Sequence, residues 1–280
     1  MSLTHNKKII RDFSRAATSY DTYAVLQRKV ADQLFLNCRA ELGALDSGDA
    51  LPITNHQSPI TQNILDIGCG TGYFHELLRK NKIYLPLVQL DISHAMCLVA
   101  ASYASSPPYG GTYTCSADMH SLPFAGGSFA NIFSSMTMQW SGNLKRVFSE
   151  AARVLQNKGG FAFSIVADGS LFELRDVFLE AGENPRIHNF ITQAELEVLL
   201  KNCGFTEYEI NTETITIFYK DIYAALLSIK AVGASYKGVS NSGIKGKNYF
   251  TKLGEIYRDK FMQNEGLPLS WNIIYVKGRK

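Results

Sequence analysis

The stretch Asn63 to Phe74, NILDIGCGTGYF, carries the reading of the fold. An apolar run, Ile64–Ile67, is interrupted only by Asp66, and glycines follow at alternate positions, Gly68, Gly70 and Gly72. Glycine has no Cβ, so it suits a backbone that must turn sharply and let a ligand come close. The pattern predicts a buried strand that passes through a tight turn into a helix. A dinucleotide-binding turn has the spacing G-x-G-x-x-G, one residue longer before its last glycine, and sets a helix N-terminus against a pyrophosphate. Here the turn holds no basic residue. Asp66 would repel a phosphate and suits a cationic amine or sulfonium instead.

Outward from the turn, apolar runs at Leu87–Leu90, Tyr113–Cys115, Asn131–Ser134 and Gly160–Val166 alternate with helical stretches near Gly72–Lys80, Ser93–Ala104 and Asn143–Leu155. Such alternation predicts an α/β fold with a doubly wound, mostly parallel sheet. NKGGF, Asn157 to Phe161, reads as a helix stop followed by a strand start. Glu207–Phe218 and the closing LSWNIIYVKGRK bring the expected strands to seven, and Thr192–Cys203 reads as a helix ending at Gly204. In open sheets of this kind, ligands bind beyond the carboxyl ends of the strands where the order reverses. Asp91 closes the second strand in LVQLDIS, where an acid takes the two hydroxyls of a ribose, and Asp118 follows the third in CSADMHSLPF. One carboxylate on a ribose, one near an adenine and one beside a cation point to S-adenosylmethionine. Cys69, between two glycines, reads as a small filler.

The chain has 280 residues, 46% hydrophobic and 19% charged, an ordinary globular balance. We expect a single domain over 1–280, with N-terminal lid helices at 5–42, a cofactor-binding core at 63–167 and lid insertions at 168–190 and 220–268. Residues 5–40 carry apolar positions at helical steps, with TSYD, Thr18 to Asp21, as a turn or cap between two helices. Asp46–Gln62 reads as a loop. No apolar run approaches the roughly 20 residues of a membrane helix, and no apolar segment follows the basic N-terminal residues as in a signal peptide. A cytoplasmic location, with no membrane association, is expected. The five cysteines are scattered, which indicates neither disulfides nor a metal site. Net charge is +3, but residues 1–40 carry seven Lys/Arg against three acids and residues 219–280 carry eleven against four. Basic ends around an acidic middle favour an anionic partner. No nucleic-acid motif is present, so a nucleic-acid partner is not expected.

LDIGCGTG, LDIS and ADMHSLPF resemble the first three motifs of the class I S-adenosylmethionine-dependent methyltransferases over about Asn63 to Phe205. That likeness implies a Rossmann-like sheet and a cofactor site at Asp66, Gly68, Gly70, Gly72, Asp91, Ile92, Asp118, Met119 and Ser135. A narrower resemblance runs nearly the whole length. DFSRAATSYDTYAVLQRKVADQL (Asp12 to Leu34), SSMTMQWSGNL (Ser134 to Leu144), GSLFELRDVF (Gly169 to Phe178), HNFITQAEL (His188 to Leu196), LLSIKAVGAS (Leu226 to Ser235) and GLPLSWNIIYV (Gly266 to Val276) are similar to the malonyl-acyl carrier protein O-methyltransferases of biotin synthesis. Ala130 stands where that family usually has an acid, and the loop Asp46–Gln62 is longer than usual.

The narrower resemblance implies methyl transfer to the free carboxylate of a malonyl thioester, on acyl carrier protein or also on coenzyme A. A carboxyl group with a pKa of about 4 is ionised at neutral pH and needs no general base, which suits a sequence without a catalytic triad. At matching motif positions, Arg175 and Lys230 are candidates to aim the carboxylate; each reads equally well as a surface helix charge. Tyr20, in SYD, either donates a hydrogen bond to the substrate carboxylate, walls off the methyl group or packs a helix. Gln139 and Trp140 follow the fourth strand as candidate substrate contacts, with plain core as the other reading. Lys245, Lys247, Lys252, Arg258 and Lys260 would face an acidic carrier protein. Two other readings stay open on the sequence: the related assembly factors that hydroxylate an arginine of a partner protein, and a binding-only protein.

Overall fold

The computed structural model describes residues 3–43, 63–103, 111–185, 189–232 and 247–280. The expected loop Asp46–Gln62, His188 and Lys245 lie outside them, as does the side chain of Lys247.

β1 (Ile64–Ile67) lies inside a seven-stranded sheet with β2 (Leu87–Asp91), β3 (Thr112–Ser116), β4 (Phe129–Ser135), β5 (Leu155–Val166), β6 (Glu207–Tyr219) and β7 (Leu267–Arg279), in the order β3-β2-β1-β4-β5-β7-β6. The first five strands pair in parallel; β7 runs antiparallel to both β5 and β6. β1 pairs with β2 on one side and β4 on the other, so the order reverses there and a crevice opens at the strand ends. The expected mostly parallel, doubly wound α/β sheet is the one observed.

Strand side chains alternate between faces. Leu65 and Ile67 pack with Ile132, Phe148, Leu196 and Phe205 against α6 (Leu144–Val154) and α8 (Gln193–Asn202). Ile64 points the other way, with Phe133 and Tyr275, against Leu34 and Phe35 of α3 (Val25–Gly43) and Leu77 of α4 (Tyr73–Lys80). Asp66 falls in register with Ile64 and is buried on that second face. α5 (His94–Tyr103) packs on β2 and β3 and receives α1 (Leu3–Ala16) on top. A third core joins α7 (Phe172–Glu180), α9 (Ile222–Ala231) and α10 (Lys247–Phe261) to the start of β7, around the fully buried Tyr257, whose hydroxyl donates to the Pro268 carbonyl.

Two boundaries differ from the sequence reading. The TSYD segment does more than turn or cap: Ser19 stands at the N-cap of a separate one-turn helix, α2 (Tyr20–Tyr23), where Asp21 reaches across to the hydroxyl of Thr71. At NKGGF the strand begins earlier, at Leu155, because Leu155 pairs with Phe129 of β4. The register then shifts before Gly160 pairs with Asn131, and Lys158 takes a left-handed φ of 64°. Ala130 sits in β4 at that irregularity, inside the strand rather than before it.

Candidate active site

The glycine turn is built from β1 outward, and its three glycines do different work. Gly68 (φ 75°) donates its N–H to the Leu90 carbonyl at 2.6 Å, and a Cβ there would overlap the side chain of Thr137. Gly70 (φ 54°) has nothing within 4 Å of the place a Cβ would occupy, so its bare backbone faces open space. Gly72 (φ 91°) caps α4; a Cβ would come within 3.2 Å of the Ala100 backbone. It lets α4 and α5 pack and takes no part in the cavity wall.

Gly68 and Gly70 line a cavity of about 410 Å³ that spreads across the carboxyl ends of the strands. Asp91 Oδ1 accepts the Ser93 N–H at 2.8 Å and Oδ2 accepts the Gly70 N–H at 3.1 Å. Burial raises the Asp91 pKa above its usual value, while these backbone donors pull it back. Its carboxylate is thus fixed at the cavity edge with lone pairs to spare for a diol. Asp118 Oδ1 accepts both the backbone N–H of His120 at 2.9 Å and a bond with its Nδ1 at 2.6 Å; Oδ2 accepts the Asn6 amide of α1 at 2.9 Å. Ile92, Met119 and Ser135 also line the cavity.

Asp66 stands behind this wall. Only 2% exposed, it leaves Oδ2 without a hydrogen-bond partner, and burial, followed by the charge of Asp91, holds its pKa well above the carboxylate range. A buried unpartnered carboxylate oxygen costs stability unless a cation comes near. This orphan oxygen, the open space at Gly70 and the pinned carboxylate of Asp91 fit a cationic nucleoside such as S-adenosylmethionine.

The wall continues past β4. Met136 (φ 49°) is held in left-handed backbone by the Ser164 carbonyl and hydroxyl, each accepting its N–H at 3.1 Å. Leu171, before α7, is also left-handed (φ 61°) and also lines the cavity, so strain gathers at the site. A 3-10 turn, Met138–Trp140, follows β4. It presents Gln139 and Trp140 to the cavity, the latter in edge contact with Phe13 of α1 at 5.5 Å between ring centroids. Tyr20 of α2 closes the roof; burial first, then the charges of Asp91 and Asp21, push its pKa above the usual range and keep the hydroxyl protonated. Val166, Phe190, Ile229, Val232 and Trp271 complete the far wall.

The structure does not bring Arg175 or Lys230 to this cavity. α7 turns Leu174, Val177 and Phe178 into the third core and leaves Arg175 beside it, whereas Lys230 is exposed next to Ile229, which does line the wall. Among the described residues, Lys8 of α1 supplies the only Lys or Arg side chain on the cavity wall. Sequence reading also passed over Asn6, Thr137, Asn189 and Trp271. Thr137, Asn189 and Trp271 lie within the motifs that carry the narrower resemblance, but nothing in one sequence says which motif residues turn inward.

A methyltransferase domain family matches residues 65–163. The malonyl-[acyl-carrier protein] O-methyltransferase of Geobacter sulfurreducens is 28% identical over 281 residues, covering 98% of both chains. That of Gallionella capsiferriformans is 30% identical over 276 residues, covering 96% of this chain and 89% of its own. The crystal structure of Bacillus subtilis YcgJ shares the fold, with a TM-score of 0.55 at 17% identity, covering 86% of this chain and 98% of its own. With the sheet, the glycine turn and relatives matched over 89–98% of their length, the chain belongs to the malonyl-[acyl-carrier protein] O-methyltransferases, within the class I S-adenosylmethionine-dependent methyltransferases.

Proposed function

We propose that this protein transfers a methyl group from S-adenosylmethionine to the free carboxylate of malonyl-acyl carrier protein, giving the methyl ester that primes pimeloyl formation for biotin synthesis. The observation that carries the reading is the division of charge along one cavity. On the β3, β2 and β1 side the wall holds Asp118 and Asp91, and α1 adds Asp12; on the β4, β5 and β7 side it holds Gln139, Val166, Phe190 and Trp271, and no carboxylate comes from that side of the sheet. An anionic nucleophile on that side therefore faces amide and apolar side chains of the sheet rather than its carboxylates.

When bound, S-adenosylmethionine supplies an electrophilic methyl on a sulfonium, so a carboxylate already ionised at neutral pH needs no base to receive it. What this chain contributes is placement. Asp91 and the Gly70 backbone hold the nucleoside, and Asp66 balances its positive charge. Tyr20, kept protonated, donates toward the malonyl carboxylate without neutralising it. Trp140, Phe13 and the apolar far wall exclude water. Arg175 and Lys230 do not line this cavity and are given no part in this placement. The helices α1, α2, α7, α9 and α10 act as the lid, and the exposed Lys252 and Arg258 of α10 face an acidic carrier protein, while Lys260 is engaged with Glu180 at 2.7 Å. No described helix is long and apolar enough to cross a membrane. The five cysteines form no disulfide, which suits the cytoplasm.

Purified protein with methyl-labelled S-adenosylmethionine should label malonyl-acyl carrier protein and leave acetyl-acyl carrier protein unlabelled. Equal labelling of both, or of neither, would overturn the assignment.

A further inference from the structure

A second cavity, about 690 Å³, opens beside the first, and the two share Gln139, Val166, Asn189 and Phe190. It leads away from the end of β5, between Leu144 at the start of α6 and the Ala194–Val198 face of α8. Leu144, Ile191, Val198 and Leu199 make its walls mainly apolar, and Val198 is left 59% exposed. At the junction, Gln139 is only 7% exposed; its Nε2 donates to the Met136 carbonyl at 2.7 Å, but its Oε1 is buried with no hydrogen-bond partner. A buried acceptor left unmade is destabilising, so the junction calls for a donor. A malonyl carboxylate and a thioester carbonyl have only acceptors; an amide N–H has what is missing.

We propose that this groove receives the uncharged, amide-bearing arm on which a carrier protein or coenzyme A presents the malonyl thioester, with an arm N–H donating to Gln139 Oε1. The inference rests on the functional reading above and deepens it by naming the path into the site. The argument is continuity and chemistry together. The groove meets the cofactor cavity at the wall where the second substrate would lie. An arm of methylenes and amides matches apolar walls with sparse polar groups at Ser141, Asn189 and Glu195, the last with Oε2 accepting from the Thr192 N–H and hydroxyl. The arm enters between α6 and α8.

Ala194 is exposed on α8 and lines the groove without touching the cofactor cavity, so Ala194→Trp fills the path and leaves the core alone. Steady-state kinetics on malonyl-acyl carrier protein should show KM raised by about tenfold or more. Turnover of malonyl methyl thioester, which has no arm, and calorimetric affinity for S-adenosylhomocysteine should match the unaltered protein. Leu227→Trp, exposed on α9 outside the groove, should leave both substrates unaffected. The path is wrong if Ala194→Trp handles the carrier substrate normally, if it loses both substrates alike, or if Leu227→Trp is the variant that suffers. Unaltered protein that methylates no malonyl thioester would overturn the functional reading itself, and the arm path with it.

Discussion

Asp91 shows how much of the site one side chain organises. Its two oxygens tie the Gly70 and Ser93 N–H groups together, so the glycine turn and the start of α5 are set by the carboxylate that also faces the cavity. Asp91→Ala should weaken S-adenosylhomocysteine binding by about 10- to 100-fold, the loss of charged hydrogen bonds worth roughly 1.5–3 kcal/mol. Calorimetry reads the affinity, and an unchanged circular dichroism spectrum confirms the fold; unaltered affinity would remove Asp91 from the nucleoside site. At this scale the acids and Gly70 were legible, because strand-end position follows from chain pattern. Asp66 and Gly72 were identified by type but not by place, since only the face of β1 and the approach of Ala100 reveal that both stand behind the wall. Arg175 and Lys230 could not be sorted by sequence at all. A helix turns about 100° per residue, so Ile229 and Lys230 face different ways, and one chain does not say which faces inward.

The element that carries Asp118, Met119 and His120 is the loop after β3, and α6 clamps it. Glu150, buried on α6, accepts the Leu122 N–H at 2.8 Å and the guanidinium of Arg153 at 2.7 and 2.9 Å; Arg153 donates on to the carbonyls of Leu122 and Phe124 at 2.9 and 2.7 Å. The Arg153 bonds, then the Leu122 N–H, hold the Glu150 pKa below the usual carboxylate range despite its burial. A depressed pKa stabilises the folded state fully above the unfolded value, and that gain fades as pH falls through the folded value. Thermal melts of the unaltered protein should therefore lose stability on acidification below about pH 4.5, and Glu150→Gln should flatten that limb while lowering Tm at neutral pH. An acid limb of unchanged steepness would exclude Glu150 as a contributor. Helices and strands were legible as elements because their apolar periods are strong. The boundaries at α2 and β5 were not, because Thr71–Asp21 and Leu155–Phe129 are long-range pairings that override local turn signals.

At the scale of the molecule, parallel strands alternating with helices require a reversal point, and the cavity lies where that logic puts it, across the ends of β3, β2, β1, β4 and β5. The α/β fold could thus be read from a single stretch and its neighbours, whereas the third core of α7, α9 and α10 depends on packing that the irregular later sequence does not announce. The basic C-terminal region belongs to this scale too. Its exposed Lys252 and Arg258 should speed encounter with an acidic carrier protein, so kcat/KM for malonyl-acyl carrier protein should fall steeply between low and physiological salt, within the Debye length of about 8–30 Å that those conditions span. Flat salt dependence would count against steering.

The central claim is that a malonyl carboxylate oxygen takes the methyl group, and oxygen labelling addresses it directly. Malonyl-acyl carrier protein with heavy oxygen in its free carboxylate is incubated with the enzyme and S-adenosylmethionine, then treated with mild base. Methanol carrying the heavy oxygen is the expected product, because the methyl ester is cleaved at its acyl bond and the methanol keeps the carboxylate oxygen. A methylated product that releases no methanol, or methanol without the label, would put the methyl group on another atom and contradict the assignment.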